Sequence, residues 1–115
     1  MIAVIFEVEP HSTHKQEYLD IAASLKPELE QLEGFISVER FQSLVNKDKL
    51  LSLSFFEDED AIARWRGSEN HREAQTSGRN SIFKHYRIRI AGVIRDYGMQ
   101  ERQQAPDDSR HAHTL

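Results

Sequence analysis

The spacing of apolar residues changes repeatedly along this chain, and the order of the changes limits the folds open to it. A spacing of two residues predicts a strand, and a spacing of three and four predicts an amphipathic helix. The predicted elements are, in order, a strand over residues 2–9, a helix with apolar positions from Tyr18 to Leu32, strands over residues 35–42 and 49–56, a short helix through Trp65, a helix over residues 69–84, and a strand over residues 85–97.

This order predicts an α+β fold, namely a ferredoxin-like β-α-β-β-α-β sandwich with its helices on one face of the sheet. A chain of 115 residues suits a single domain, which we place at residues 1–98. Residues 99–115 are polar, contain Pro106 and show no periodicity, and they are interpreted as a C-terminal tail, either flexible or packed on a partner.

Local signals support the boundaries of the first helix. Thr13 and Gln16 have the spacing of a capping box, in which each side chain bonds a backbone N–H at the helix start. Gly34 follows the last apolar helix position, where a left-handed backbone conformation often ends a helix.

The first and last strands carry apolar residues on both of their faces, although one chain supplies only one layer of helices. In the first strand Ile2, Val4, Phe6 and Val8 fill one face while Ala3 and Ile5 lie on the other. A strand with two apolar faces requires cover on both. A second copy packed sheet to sheet would supply it, so we expect a homodimer that associates through the sheet face. A surface formed by the tail would also satisfy this requirement.

Several classes of site are unsupported by the composition. The chain has no cysteine, which excludes disulfides and thiolate ligands, and its net charge of −4 gives no basic stripe for nucleic acid. His11 and His14 have the spacing of a ligand pair, but no third ligand is identifiable, so no metal site is predicted. No signal peptide and no membrane-length apolar run is present, and a cytoplasmic location is expected.

From Trp65 through Ser68-Glu69-Asn70-His71-Arg72-Glu73-Ala74-Gln75, and in Phe83 and the closing Arg95-Asp96-Tyr97, the chain resembles the antibiotic biosynthesis monooxygenase superfamily. The resemblance covers residues 1–98. It implies a dimeric α+β barrel and a monooxygenase that oxidises a small aromatic, phenolic or quinone-like compound with O2. It also implies that no cofactor is needed in those members that oxidise phenols.

The resemblance further implies a pocket between the sheet and the helices. Trp65 would form a wall and offer an indole N–H, and His71 would accept the phenol proton, since histidine titrates near neutrality. Gln75 would orient the substrate. Arg40 and Tyr86 are further candidates for substrate binding. A strand arginine commonly pairs with a cross-strand carboxylate, however, and strand-end packing is the simpler interpretation of Tyr86.

Two alternatives remain at this point. The same pocket could belong to a non-catalytic dimer that holds a small hydrophobic ligand. Haem cleavage is the other: haem-degrading relatives carry an axial histidine about ten residues after the tryptophan, whereas this chain has Gln75 there, a poor ligand for iron. Packing alone also accounts for Trp65, and capping of a helix start accounts for His71.

Overall fold

A sheet of four strands is the main feature of the described part of the chain. The computed structural model describes residues 1–68 and 82–112. Its elements are, in chain order, β1 (Ile2–Pro10), a 3-10 helix (Ser12–His14), α1 (Lys15–Glu30), β2 (Phe35–Gln42), β3 (Leu50–Phe56), α2 (Glu59–Arg66), β4 (Phe83–Gly92) and α3 (Asp107–Ala112). The sheet is antiparallel with the order β2-β3-β1-β4, which confirms the predicted α+β ferredoxin-like arrangement.

The two faces of the sheet differ in what they contact. One face carries Ile2, Val4, Phe6 and Val8 of β1, and all four pack against the hydrophobic core. We call it the helix face, because core residues of α1 and α2 lie over it. The opposite face carries the alternate residues of β1, which are Ala3, Ile5, Glu7 and Glu9.

The core is divided into two clusters on the helix face. The first consists of Val8, Tyr18, Leu50 and Ile82, and the second of Leu29, Phe56, Ala61 and Ile62. Val8 is paired with Leu50, whereas Phe56 is paired with Ile2 at the other end of the same two strands. The clusters therefore occupy opposite ends of the helix face, and the middle of the sheet lies between them.

The ends of the helices follow the sequence signals only in part. Asp58 caps α2, because its carboxylate accepts the backbone N–H of Ala61 at 2.9 Å. Gly34 has a φ of +89°, which confirms the left-handed conformation predicted there. The capping box was a wrong prediction: Thr13 lies inside the 3-10 helix, and α1 begins at Lys15 with no side-chain cap. No helix in residues 1–68 or 82–112 is long and apolar enough to span a bilayer.

The last strand differs from its predicted bounds at both ends. β4 begins at Phe83, so residues 83 and 84, predicted to end a helix, are in the strand and pair toward the end of β1. It stops at Gly92 rather than at residue 97, and Gly92 pairs with Ile2, the first residue of β1. The backbone N–H of Val93 makes one more bond, to the carbonyl of Met1 at 3.0 Å.

The segment after β4 makes several contacts within itself. The guanidinium of Arg102 lies 5.2 Å from the ring centroid of Tyr97, and Gln104 accepts the backbone N–H of Asp96 at 2.8 Å. Ala105 is buried, and α3 follows it. Part of the predicted C-terminal tail thus forms a short helix.

Candidate functional site

A row of four residues crosses the helix face between the two core clusters. Cross-strand pairing places Arg40 of β2 opposite Ser52 of β3, Ser52 opposite Phe6 of β1, and Phe6 opposite Ile88 of β4. We call these four residues the central row. Strands lie about 4.8 Å apart, so the row extends about 14 Å across the sheet. It runs from a charged end at Arg40 to an apolar end at Ile88.

The strand β3 carries small polar side chains in the middle of the helix face. It directs Ser52 and Ser54 toward the helices, and Leu51, Leu53 and Phe55 toward the opposite face. A serine side chain is far smaller than the Leu50 and Phe56 that flank the pair on the same face. β3 thus carries two small polar side chains where a core would ordinarily hold large apolar ones, and we call Ser52 and Ser54 the polar recess.

Arg40 lies beside Tyr18 at the charged end of the row. Tyr18, on α1, is only 7% exposed. Burial raises the pKa of its hydroxyl above the usual 10.0, while the positive charge of Arg40 and a hydrogen bond from Arg40 oppose that rise. The hydroxyl is therefore a neutral phenol at physiological pH. The Nε atom of Arg40 is buried and has no hydrogen-bond partner in the described part of the chain.

Four aromatic rings surround one side of the central row. The ring of Phe6 lies 5.9 Å from Phe83 and 5.8 Å from Tyr86, measured between centroids. Phe83 in turn lies 5.6 Å from Tyr18 and 5.9 Å from Tyr86. The tilted and edge-on geometries are those that aromatic rings favour. Together the four rings form an apolar wall that includes Tyr18 and lies next to Arg40.

The edge strand β4 leaves apolar side chains accessible on the helix face. Tyr86, Ile88 and Ile90 pair with Val8, Phe6 and Val4, which places them on the same face as the core. They are nonetheless 46%, 51% and 46% exposed. An apolar surface of this extent beside a polar recess is typical of a binding site for a small, largely apolar molecule.

The predicted site residues fall in three places. Arg40 lies in the central row, and Tyr86 lies one row away from it, beside the first core cluster. Trp65 is partly buried against the second cluster, at the end of α2, so the structure does not bring it together with Tyr86. His71 and Gln75 lie outside the described residues.

Sequence reasoning missed Tyr18 and Ser52. Tyr18 fits the apolar stripe of α1, and only its proximity to Arg40 gives its hydroxyl a chemical role. For Ser52 a signal was present: Ser52 and Ser54 alternate with large apolar residues in β3, which is the pattern of a strand with one polar and one apolar face. The register with β1 places the serine face under the helices and the apolar face on the opposite side.

The opposite face carries an ion-pair network near its edge. Lys49 Nζ and Arg89 Nη1 each lie 3.4 Å from a carboxylate oxygen of Glu7. The hydrogen bond and the charge of Lys49 lower the pKa of the Glu7 carboxyl, and Arg89 contributes in the same direction. The expectation that strand arginines pair with cross-strand carboxylates therefore holds for Arg89. It does not hold for Arg40, which has no carboxylate partner among residues 1–68 and 82–112.

Comparison with known proteins identifies the family whose members this chain is similar to. The family model described as antibiotic biosynthesis monooxygenase matches residues 1–77. A protein of Pyricularia oryzae named jasmonate monooxygenase ABM is 43% identical over 93 residues, which cover 81% of this chain and 43% of that protein. The uncharacterized protein YqjZ of Bacillus subtilis is 31% identical over 68 residues, covering 59% of this chain and 58% of that protein. The chain thus spans about half the length of these relatives.

Solved structures show the same fold at low sequence identity. A conserved protein from Methanosarcina mazei superposes with a TM-score of 0.72 at 24% identity, over 78% of this chain and 89% of that one. The protein Rv0793 from Mycobacterium tuberculosis superposes with a TM-score of 0.76 at 12% identity, over 84% of this chain and 98% of that one.

Proposed function

Because this chain belongs to the antibiotic biosynthesis monooxygenase family, we propose that it is a monooxygenase that oxidises a small, largely apolar compound with O2. The observation that carries the proposal is the central row with its exposed apolar end and its aromatic wall. An oxygenase of this kind needs apolar walls that exclude water and a few polar groups that orient the substrate. The helix face offers apolar side chains on β4 beside the polar groups of Arg40 and Tyr18, which supports the proposal.

The proposed substrate is aromatic or phenolic and the reaction needs no cofactor. Deprotonation of a phenol of the anthrone type gives a carbanion-like phenolate that can reduce O2 itself. One oxygen atom then replaces the two hydrogens of a ring CH2 as a carbonyl, and the other leaves as water, so the substrate supplies all the electrons. His71 is the proposed base, and Gln75 and Tyr86 are proposed to orient the substrate. Trp65, which packs against the second core cluster and away from Tyr86, is proposed to form a wall and offer a donor.

Oxygen uptake with a panel of substrates tests this function. The panel contains anthrone-type phenols, hydroquinones and jasmonate, the last because the Pyricularia relative is named for it. Metal is chelated and no cofactor is added. We expect uptake that depends on the protein and on at least one phenol. Absence of uptake across the panel would contradict a cofactor-free oxygenase, and a Soret band on addition of haem would then favour haem cleavage.

The base is tested by the same assay. His71→Ala is expected to lower turnover at least tenfold without loss of substrate binding, because general bases commonly contribute about 10²–10⁴-fold. His14→Ala is the matched control, since His14 is half exposed and bonds only Glu17 in the described region. Equal turnover in the wild type and in His71→Ala would exclude His71 as the base.

We also propose that the protein acts as a homodimer formed through the opposite face. That face has an apolar centre, contributed by Ile5, Leu51, Leu53 and Phe55, with the ion pairs of Glu7 at its edge. An apolar centre with a charged rim is the usual composition of a protein interface.

Charge placed in the centre of this face should separate the subunits. Leu53→Glu is expected to raise the dimer dissociation constant at least 100-fold, because an unpaired carboxylate would be buried. Sedimentation equilibrium measures the constant, and Leu44→Glu is the control, since Leu44 is fully exposed in the β2–β3 loop. A wild type that is monomeric at micromolar concentration, or a Leu53→Glu variant that dimerises as tightly, would contradict the dimer.

A further inference from the structure

Arg40 occupies a position that an apolar side chain would normally fill. It lies on the helix face, two residues from Val38, which packs against the second core cluster. Its neighbour across the sheet is Ser52, whose side chain is small and polar. Its buried Nε lacks a hydrogen-bond partner in the part of the chain that the structure describes. A buried donor without a partner is costly, so a polar group of a ligand would stabilise it.

Tyr18 makes this end of the row suitable for one kind of ligand. Burial raises the pKa of its hydroxyl despite the nearby positive charge of Arg40, so the phenol is neutral and its proton is available for donation. A guanidinium has no acceptor atom, and a neutral phenol can donate its proton, so the two groups together offer donors to an incoming group. A carboxylate has the matching acceptors, and it can bind a guanidinium through two parallel bonds.

The rest of the row determines what the carboxylate must be attached to. Beyond Ser52 the row continues over Phe6 to Ile88, and Tyr86 and Ile90 flank Ile88 on the same exposed edge. We propose that Arg40 and Tyr18 bind the carboxylate of a small amphipathic substrate whose apolar body lies along Phe6 toward Ile88. This inference rests on the proposed function, because it names the substrate class of the same site.

The overall charge of the chain does not explain such a preference. The net charge is −4, which repels anions at long range. Selection of an acid over its neutral ester must therefore come from local donors. Arg87 and Arg89 of β4 point to the opposite face, since they pair with Glu7 and Ile5, so they cannot supply those donors on the helix face.

Calorimetric titration with matched acids and esters tests the inference. The probes are naphthalene-1-acetate and jasmonate, each compared with its methyl ester, with no substrate turnover required. We expect at least one acid to bind ten times or more tightly than its ester. Arg40→Gln should weaken binding of the acid by about 10- to 100-fold and leave the ester unchanged, the range expected for one charged hydrogen-bonded contact. Tyr18→Phe should weaken the acid by a smaller factor.

Two further variants separate a specific contact from general effects. Arg87→Gln removes the same charge from the opposite face and should leave acid binding unchanged. Arg40→Lys keeps the charge but lacks the fork of donors, and it should restore part of the affinity lost in Arg40→Gln. Circular dichroism and the thermal midpoint of each variant show whether it is folded, and an unfolded Arg40→Gln leaves Arg40→Lys and Tyr18→Phe to decide.

The inference is overturned if acid and ester bind equally, if no probe binds, or if Arg87→Gln weakens the acid as much as Arg40→Gln does. The titration and the oxygen assay fail independently. Selective binding of an acid through Arg40 without oxygen uptake would retain the carboxylate site and reject the oxygenase. Oxygen uptake with equal affinity for acid and ester would do the reverse.

Discussion

Replacement of Phe56 with alanine is expected to lower the free energy of unfolding by about 3–5 kcal/mol. Phe56 is 2% exposed and is among the largest fully buried side chains in the described residues. It belongs to the second core cluster, and its ring meets that of Phe35 edge-on at 5.8 Å. Truncation would remove this aromatic contact and leave a cavity between β3 and the helices, which the surrounding strands cannot close.

Urea unfolding at equilibrium measures this loss, provided that the slope of the transition is unchanged. Leu44→Ala is the control, because Leu44 is 101% exposed and its truncation should change stability by less than about 0.5 kcal/mol. A loss below about 1 kcal/mol for Phe56→Ala would mean that the second cluster is not packed as described. If the protein dimerises, both variants are compared at one protein concentration, because association adds to the apparent stability.

Gly34→Ala is expected to destabilise the fold by about 2–4 kcal/mol, from two causes that act together. The backbone of Gly34 has a φ of +89°, where a side chain clashes with its own peptide groups. In addition, a Cβ atom at this position would lie 2.7 Å from the Cβ of Ala61, which is itself fully buried in α2. Neither atom belongs to a flexible side chain, so the helix or the turn must move.

The turn at Gly34 also holds the end of β3, since its carbonyl accepts the backbone N–H of Glu57 at 2.7 Å. A displaced turn would therefore disturb the start of α2 and, with it, the position of Trp65. Gly92→Ala is the matched control: a Cβ there meets nothing within 4 Å, and stability should change by less than about 0.5 kcal/mol. Equal stability of Gly34→Ala and the wild type in thermal unfolding would contradict the close approach of the turn to α2.

The stabilising core clusters and the polar recess occupy different parts of the helix face. The clusters around Val8 and Phe56 stabilise the two ends of the helix face, whereas Ser52, Ser54 and Arg40 in the middle contribute little apolar burial. A larger apolar residue at Ser52 would bury more surface, but it would also fill the space beside Arg40. Proteins commonly have polar residues in place of apolar core residues where a binding site is located.

Much of the architecture is determined by local sequence. Alternation in β1 and β3, helical spacing from Tyr18 to Leu32, and a glycine after α1 are short-range patterns, and they predict the element order and the positive φ of Gly34. The predictions fail where the outcome depends on a distant partner. β4 ends at Gly92, opposite Ile2 at the start of β1, and no pattern within residues 85–97 indicates where that partner strand lies.

In the candidate site too, some features follow from the local sequence and others depend on distant segments of the chain. Residue type alone makes Arg40 and Tyr86 candidates, since a guanidinium can bind an anionic group and a tyrosine offers a ring and a hydroxyl. That Arg40 shares a row with Ser52, Phe6 and Ile88 depends on the sheet order β2-β3-β1-β4 and on the register of three strand pairs. The contact of Arg40 with Tyr18 depends in addition on how α1 crosses the sheet. The sequence by itself determined the elements and the chemical groups that they carry, whereas the tertiary structure alone decided which of those groups meet, because register and crossing are fixed by packing between segments distant in the chain.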